Sequence, residues 1–230
     1  MRRLTQCVFL VLLMLGSLPG MRAQTHYEGQ IYVGGKAGVT LSRVNFNPTV
    51  PQTMLPGMMV GGTFRYVEER HFGIIAELNV EQRGWKEKFD GYDYSYQRKL
   101  TYIQLPVMTH IYFGSHRFHG YFNAGPELGF MLASGTKSNF DYAYIESIEG
   151  FPSVNRSTDQ FNMKIDKRFD YGISAGLGME WFKDNHHSFT LEGRFYYGLN
   201  DVFNNHKTDV FSGSNSMSIM VTLGYNYRLK

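Results

Sequence analysis

The chain has 230 residues, with 23 Lys+Arg, 20 Asp+Glu and a single cysteine, Cys7. Arg2, Arg3 and Arg22 account for the whole positive excess, so the residues after position 23 balance 20 basic against 20 acidic side chains. That balance points to no nucleic-acid partner and no anionic membrane surface, and with Cys7 upstream of residue 23 it leaves no thiol or disulfide chemistry in the remainder.

Residues 1–23 read as a secretory signal peptide. Arg2 and Arg3 supply the positive start, Val8–Leu15 the apolar core, and Gly16, Pro19 and Gly20 break it before the small Ala23. The apolar stretch is shorter than the ~20 residues of a spanning helix. Cys7 lies inside it and cannot be the lipidated first residue of a lipoprotein. Residues 24–230 then form one domain, rich in Tyr, Phe and Gly and without sustained helical periodicity.

Eight amphipathic runs follow residue 30, each of about 10 residues, the length of a tilted transmembrane strand. In the first, Ile31, Val33, Ala37, Val39 and Leu41 oppose Lys36 and Thr40. Met58, Val60, Phe64 and Tyr66 oppose Thr63 and Arg65; Phe72, Ile74, Ala76, Leu78 and Val80 oppose Glu77, Asn79, Glu81 and Arg83. Ile103, Leu105, Val107, Ile111 and Phe113 face away from Gln104, Met108 and His110, and Phe118, Phe122, Ala124, Leu128, Phe130 and Leu132 from His119, Asn123 and Glu127. The last three runs are the cleanest. Ile173, Leu177 and Trp181 oppose Asp170 and Glu180; Phe189, Leu191 and Phe195 oppose Glu192 and Arg194; Ile219, Val221 and Leu223 oppose Thr222 and Arg228.

The gaps between runs alternate. Short ones fall near Glu68–Arg70, Gly114–His116 and Lys183–His186; long ones near Arg43–Gly57, Lys86–Arg98, Ser134–Lys167 and Asn200–Asn215. All tight turns therefore lie at one end of an antiparallel sheet, the pattern of an outer-membrane barrel. The expectation is an all-β, eight-stranded, antiparallel up-and-down transmembrane β-barrel, with both mature termini in the periplasm and four surface loops.

A soluble β-sandwich or lipocalin-like barrel would show the same period with its faces reversed. The charges argue for the membrane. Lys36, Arg65, Glu77, Glu81, Arg83, Glu127, Asp170, Glu180, Glu192, Arg194 and Arg228 share the lumen parity, and no charge within the runs takes the other. An Arg or Lys facing mid-bilayer costs roughly 2–4 kcal/mol, which enforces that segregation. Tyr66, Phe72, Phe113, Phe118, Trp181, Phe189, Tyr225 and Tyr227 cluster near the short turns as an interfacial girdle. Eight strands leave a lumen that side chains fill, so these charges are expected to neutralise one another as a structural plug. Pro106 and Pro126, on consecutive strands, predict a shared bulge or bend.

Four segments resemble the PorT-like outer-membrane β-barrel family. They are Tyr102-Ile103-Gln104-Leu105-Pro106-Val107, Ala124-Gly125-Pro126-Glu127-Leu128-Gly129, Asp170-Tyr171-Gly172 with Gly176, Gly178 and Glu180, and Arg194-Phe195-Tyr196-Tyr197-Gly198-Leu199. Their order and spacing extend across residues 30–230. The resemblance implies an integral outer-membrane barrel of a Gram-negative bacterium. The family's founding member is implicated in type IX protein secretion, and the family supplies no catalytic residues to carry over. The chain departs from many outer-membrane barrels in ending Tyr227-Arg228-Leu229-Lys230 rather than on an aromatic.

Candidate sites are sparse. Phe89–Tyr96 reads FDGYDYSY, in which Asp90 and Asp93 offer too few oxygens for calcium. Tyr92 and Tyr94 there, with Tyr142, Tyr144 and Phe151 of the longest loop, are candidate contacts for a protein or glycan. His116 with His119, and His186 with His187, flank short turns, while His26, His71, His110 and His206 are scattered. Neither pair has further ligands beside it, and zinc needs at least three, so these are expected to be solvated turn residues. No GxSxG, HExxH or Walker pattern occurs, and the lipid face carries no Ser or His for a barrel lipid hydrolase or acyltransferase. No catalytic, cofactor or metal site is expected and no small-molecule substrate is predicted; the partners are outer-membrane lipid and envelope or secretion-system proteins. The expected role is non-enzymatic: structural, or accessory in envelope assembly or protein secretion. The alternatives are an adhesin or receptor working through its loops, and a lipid-modifying barrel enzyme.

Overall fold

The computed structural model describes residues 29–152, 157–203 and 210–230. The signal-peptide segment 1–23, with Cys7, and the histidines His26 and His206 lie outside the described residues. Nine antiparallel strands follow in order: β1 (Gln30–Asn47), β2 (Gln52–Thr53), β3 (Leu55–Glu69), β4 (Phe72–Glu87), β5 (Tyr96–Ser115), β6 (Phe118–Ser138), β7 (Phe169–Phe182), β8 (His187–Asp201) and β9 (Gly213–Arg228). Eight of them pair in a ring, β1-β3-β4-β5-β6-β7-β8-β9, and β1 closes it on β9 from Tyr32–Arg228 to Asn47–Gly213. The short β2 adds outside the ring, pairing with the end of β4 through Gln52–Glu87 and Thr53–Lys86.

Alternating side chains do face hydrocarbon and lumen in turn. Leu223 is 68% exposed and Ile173 54%, whereas Glu180 is 1% exposed. A soluble barrel would show the reverse. The expected girdle forms as well, with Phe118 against Trp181 at 5.6 Å and Phe189 against Tyr225 at 5.5 Å, both pairs turned outward.

Two expectations need correction. The ring strands are longer than about ten residues: β7 has 14 and β6 has 21. Ten residues cross the hydrocarbon, but the ladder continues past it. Tyr96–Leu100 still pairs with Ser134–Ser138, where residues 133–137 are all exposed. Above the membrane, water takes the place of lipid, so polar residues occupy both faces and the alternation fades while pairing persists. The second correction concerns the prolines. Neither Pro106 nor Pro126 makes a bulge. The β4–β5 ladder skips Glu77 and Leu78 opposite Pro106 and Leu105, and resumes in the same register. The β5–β6 ladder likewise skips Val107 and Met108 opposite Pro126 and Gly125. A proline lacks the N–H that its ladder needs, yet the facing pattern on either side pins the register. The bulge in this hairpin lies higher, between Thr101 and Tyr102, where Leu132 is the extra residue.

Candidate functional site: a filled lumen between an aromatic cap and a vestibule

Ten of the eleven predicted lumen charges are buried inside the ring. Lys36 Nζ lies 2.6 Å from Glu77 and 3.6 Å from Glu192. Arg194 binds Glu77 through two nitrogens, at 2.7 and 2.8 Å, and reaches Glu192 at 2.8 Å. These four side chains, from β1, β4 and β8, span the middle of the barrel. Toward the loops, Arg83 pairs with Asp170 at 2.5 Å and is held between the rings of Tyr102 and Tyr196, at 3.9 and 4.5 Å. Gln104 donates to Glu81. Toward the turns, Arg65 grips Glu180 through two nitrogens, at 2.8 and 2.6 Å. Charges at such distances in a water-poor interior hold one another strongly, and removing one partner of a buried pair costs about 3–5 kcal/mol.

The neutralisation is less even than the sequence suggests. Arg228 is only half-buried at the turn end, where its Nε donates to the carbonyl of Lys230 at 3.1 Å. Four buried cations therefore face six carboxylates. Glu127 is the residue left over: Ser174 donates to it at 2.5 Å, its other oxygen has no partner, and no cation pairs with it among the described residues. Crowding on the inner wall is accommodated by glycine. A Cβ at Gly178 would lie 2.2 Å from the Tyr121 ring, so only glycine admits that tyrosine to the lumen.

Above the charges, the loop end is closed by aromatic packing that the sequence reading did not anticipate. Phe46 meets Trp85 at 5.4 Å and Phe211 at 5.0 Å, and Trp85 meets Phe203 at 5.8 Å. Tyr96 packs on Phe161 at 4.5 Å, and Phe140 on Phe151 at 5.3 Å. Each long connection contributes. The third is pinned inward by Gln160, which donates to Glu87 at 2.9 Å, and by Arg98, which donates to the Met163 carbonyl at 2.6 Å. A signal was available: Val44, Phe46 and Trp85 continue the lumen parity of Lys36 and Arg83, so their apolar character on that row marks a dry interior.

The candidate loop contacts separate accordingly. Phe151 is 9% exposed and belongs to the cap; Tyr94 and Tyr142 pack partly against it. Tyr92 and Tyr144 face outward, Tyr144 at 69% exposure, and Tyr92 stacks on Tyr94 at 6.1 Å.

At the short-turn end the interior opens into a vestibule of about 640 Å³. Its floor is the Arg65–Glu180 pair with buried His110, whose Nδ1 lies 2.7 Å from Asn123 Oδ1. Tyr112 and His119 stand on its wall, their rings 4.9 Å apart, with Phe182 4.7 Å beyond. The expectation of solvated turn histidines holds for exposed His116 and His186, but His119 and His187 are half-buried; His110 is interior, and His71, His110, His116 and His119 all line one cavity. Among the described residues no three His, Cys, Asp or Glu side chains converge as metal ligands.

The ring of strands, its outward oily face and its ionic interior agree with a family model described as outer membrane protein beta-barrel domain, which matches residues 22–204. The chain belongs to that family. It is an outer-membrane β-barrel protein, and its apolar surface contacts membrane lipid. No curated protein matches it in sequence. Among solved structures, this outer-membrane barrel resembles OprG of Pseudomonas aeruginosa, with a TM-score of 0.52 and 12% identity over 87% of this chain and 95% of that one. It also matches Ail, the attachment invasion locus protein of Yersinia pestis, solved with the heparin analogue sucrose octasulfate; the TM-score is 0.40 and the identity 13%, over 87% of this chain and 99% of that one. The outer membrane enzyme PagL matches with a TM-score of 0.39 and 9% identity, over 84% and 97% of the two chains. At such identities the likeness concerns the fold alone.

Proposed function

We propose that this barrel is a non-enzymatic component of the Gram-negative outer membrane that works through its surfaces, as a structural or accessory element in envelope assembly or protein secretion of the PorT-like kind. The observation that carries the reading is the filled interior. Trp85, Phe203 and Phe211 close the loop end, and Lys36, Glu77, Glu192 and Arg194 cross the middle. A barrel so filled disfavours solute flux and supports a role in recognition or scaffolding. In this reading residues 1–23 are removed on export, the mature termini and short turns face the periplasm, and the lumen charges are structural. The test is a deletion strain whose secreted proteins and lipid A are profiled together. Loss of secreted cargo with unchanged lipid A is the expected outcome. An unchanged secretome would overturn the secretion role, and altered lipid A would favour an enzyme.

Surface recognition is the second reading, favoured by outward Tyr92, stacked on Tyr94, and outward Tyr144. Exposed tyrosine faces stack on sugars and anchor protein contacts. Because Phe151 and Phe161 belong to the cap, deleting the whole third loop would confound docking with stability. Replacing Tyr92 and Tyr144 with serine in intact cells separates them. Reduced attachment to a glycan array or host surface supports the reading; undiminished attachment removes it.

A further inference from the structure

We propose that the vestibule at the short-turn end is a binding site for a small organic anion that carries an aromatic ring. The inference goes beyond the role proposed above and stands on the cavity alone. At about 640 Å³ the vestibule falls within the size range of small-molecule sites, ~300–1,000 Å³. It is blind, because the Arg65–Glu180 pair, His110 and Asn123 close its inner end.

Its lining favours a negative guest. Arg65, Arg70 and Arg228 contribute three fixed positive charges, and Glu180 and Asp184 two negative ones. Both acids are already engaged: Glu180 by Arg65, and Asp184 by the backbone N–H groups of His186 and His187, at 2.8 and 2.9 Å. Arg70 makes no ion pair among the described residues, and buried Arg65 Nε has no acceptor. His71, His116 and His119 add ring nitrogens that donate to oxyanions when they carry a proton. A carboxylate entering the mouth thus meets Arg70 and the Arg65 Nε, neither of which is held by Glu180 or Asp184.

The wall explains the ring. Tyr32, Tyr112, Phe182 and His119 line the same space as one packed aromatic wall, and Tyr32 already lies against the Arg65 guanidinium at 4.3 Å. Planar apolar surface gains from offset stacking on such rings beyond its burial alone. A bare inorganic anion would use only the rim. An uncharged aromatic would use only the wall. A compound with both uses the whole cavity.

The test uses the full mature chain, folded in lipid nanodiscs and titrated calorimetrically with 1-naphthoate, 1-naphthamide and inorganic phosphate. Naphthoate is expected to bind saturably at one site per barrel, at least tenfold more tightly than either of the others. The R70Q/R228Q double variant, altered only at the rim, is expected to weaken naphthoate at least tenfold while keeping the heat-modifiable gel mobility of a folded barrel. A Tyr112→Leu variant is expected to lose affinity for naphthoate and leave that for phosphate unchanged. Naphthamide binding as well as naphthoate, or undiminished binding by a folded R70Q/R228Q, would overturn the anion site. Phosphate binding as tightly as naphthoate would overturn the aromatic component, and non-saturable uptake alone would reduce the signal to lipid partitioning and sink the proposal.

Discussion

The two ends of the barrel are built on the same inward rows yet have opposite interiors. Along β5 the inward side chains run Leu100, Tyr102, Gln104, Met108, His110, Tyr112, from dry aromatic packing through hydrogen-bonded polar groups to the wall of the open vestibule. β1 makes the same passage, from Phe46 and Val44 through Thr40 and Lys36 to Tyr32. Strand geometry dictates only which residues point inward. What fills the interior is decided by how many groups converge there. Four long connections supply enough aromatic surface to close one end, whereas three short turns cannot reach across the other. The barrel is therefore sealed from the loop side and hollow at the turn side, with an ionic layer between.

The sharpest way to break that division is to remove the layer itself. Arg194→Ala strands Glu77 and Glu192 beside Lys36 alone, and a loss of about 3–5 kcal/mol is expected. Urea unfolding in detergent, followed by heat-modifiable gel mobility, would measure it; an unmoved midpoint would mean the network contributes little.

Trp85→Ala attacks the cap. It is expected to cost about 3 kcal/mol, the low end for deleting a large aromatic, because the loop rings around it can partly collapse. Planar-bilayer recordings sharpen the comparison: the variant is expected to remain non-conducting, since Arg194 and Glu77 still block the path, and a steady current would place the seal in the cap instead. Glu127→Gln should be milder still, within about 1 kcal/mol, because glutamine keeps an acceptor for Ser174 and no cation is abandoned. A loss as large as that of Arg194→Ala would show Glu127 to be tied to the cations after all.

The smallest effect belongs to the turn side. The Asp184 carboxyl is held below the ordinary aspartate range, first by the backbone N–H of His186 and then by that of His187. A carboxylate depressed by folding stabilises above its unfolded pKa, and that contribution fades as the pH falls through the folded value, below about 4. Asp184→Asn is expected to leave the global unfolding midpoint unchanged while the His186 and His187 amide resonances lose their acid-side titration step. Persistence of that step would assign it to another group.

Strand identity and facing were legible in the sequence because a two-residue period with segregated charges leaves one arrangement compatible with lipid. Glu77, Glu81, Arg83 and Glu180 are interior for that reason. Strand ends were not legible. At Lys99 and Thr136 the ladder runs through water, where both faces tolerate polarity and composition resembles a loop. The vestibule was hidden for another reason. His71, His110, His116 and His119 come from two strands and two turns whose meeting depends on closure, so their spacing in sequence carries no sign of it. The cap could have been read, since Val44 and Phe46 extend a polar row with apolar residues. The prolines misled because a missing N–H was expected to shift the register, when it only interrupted each ladder for two positions without changing it.

The seam between β1 and β9 joins the beginning of the barrel to its end, from Tyr32–Arg228 up to Asn47–Gly213, with Leu229 N–H also donating to the Ile31 carbonyl at 2.8 Å. Among the described residues no other strand pairing spans so much chain. Until β9 has been synthesised and delivered, β1 remains an open edge with one row of backbone donors and acceptors unmet. The circle can therefore be completed only when its final segment arrives, and until then the first strand offers its bare edge to any other strand nearby.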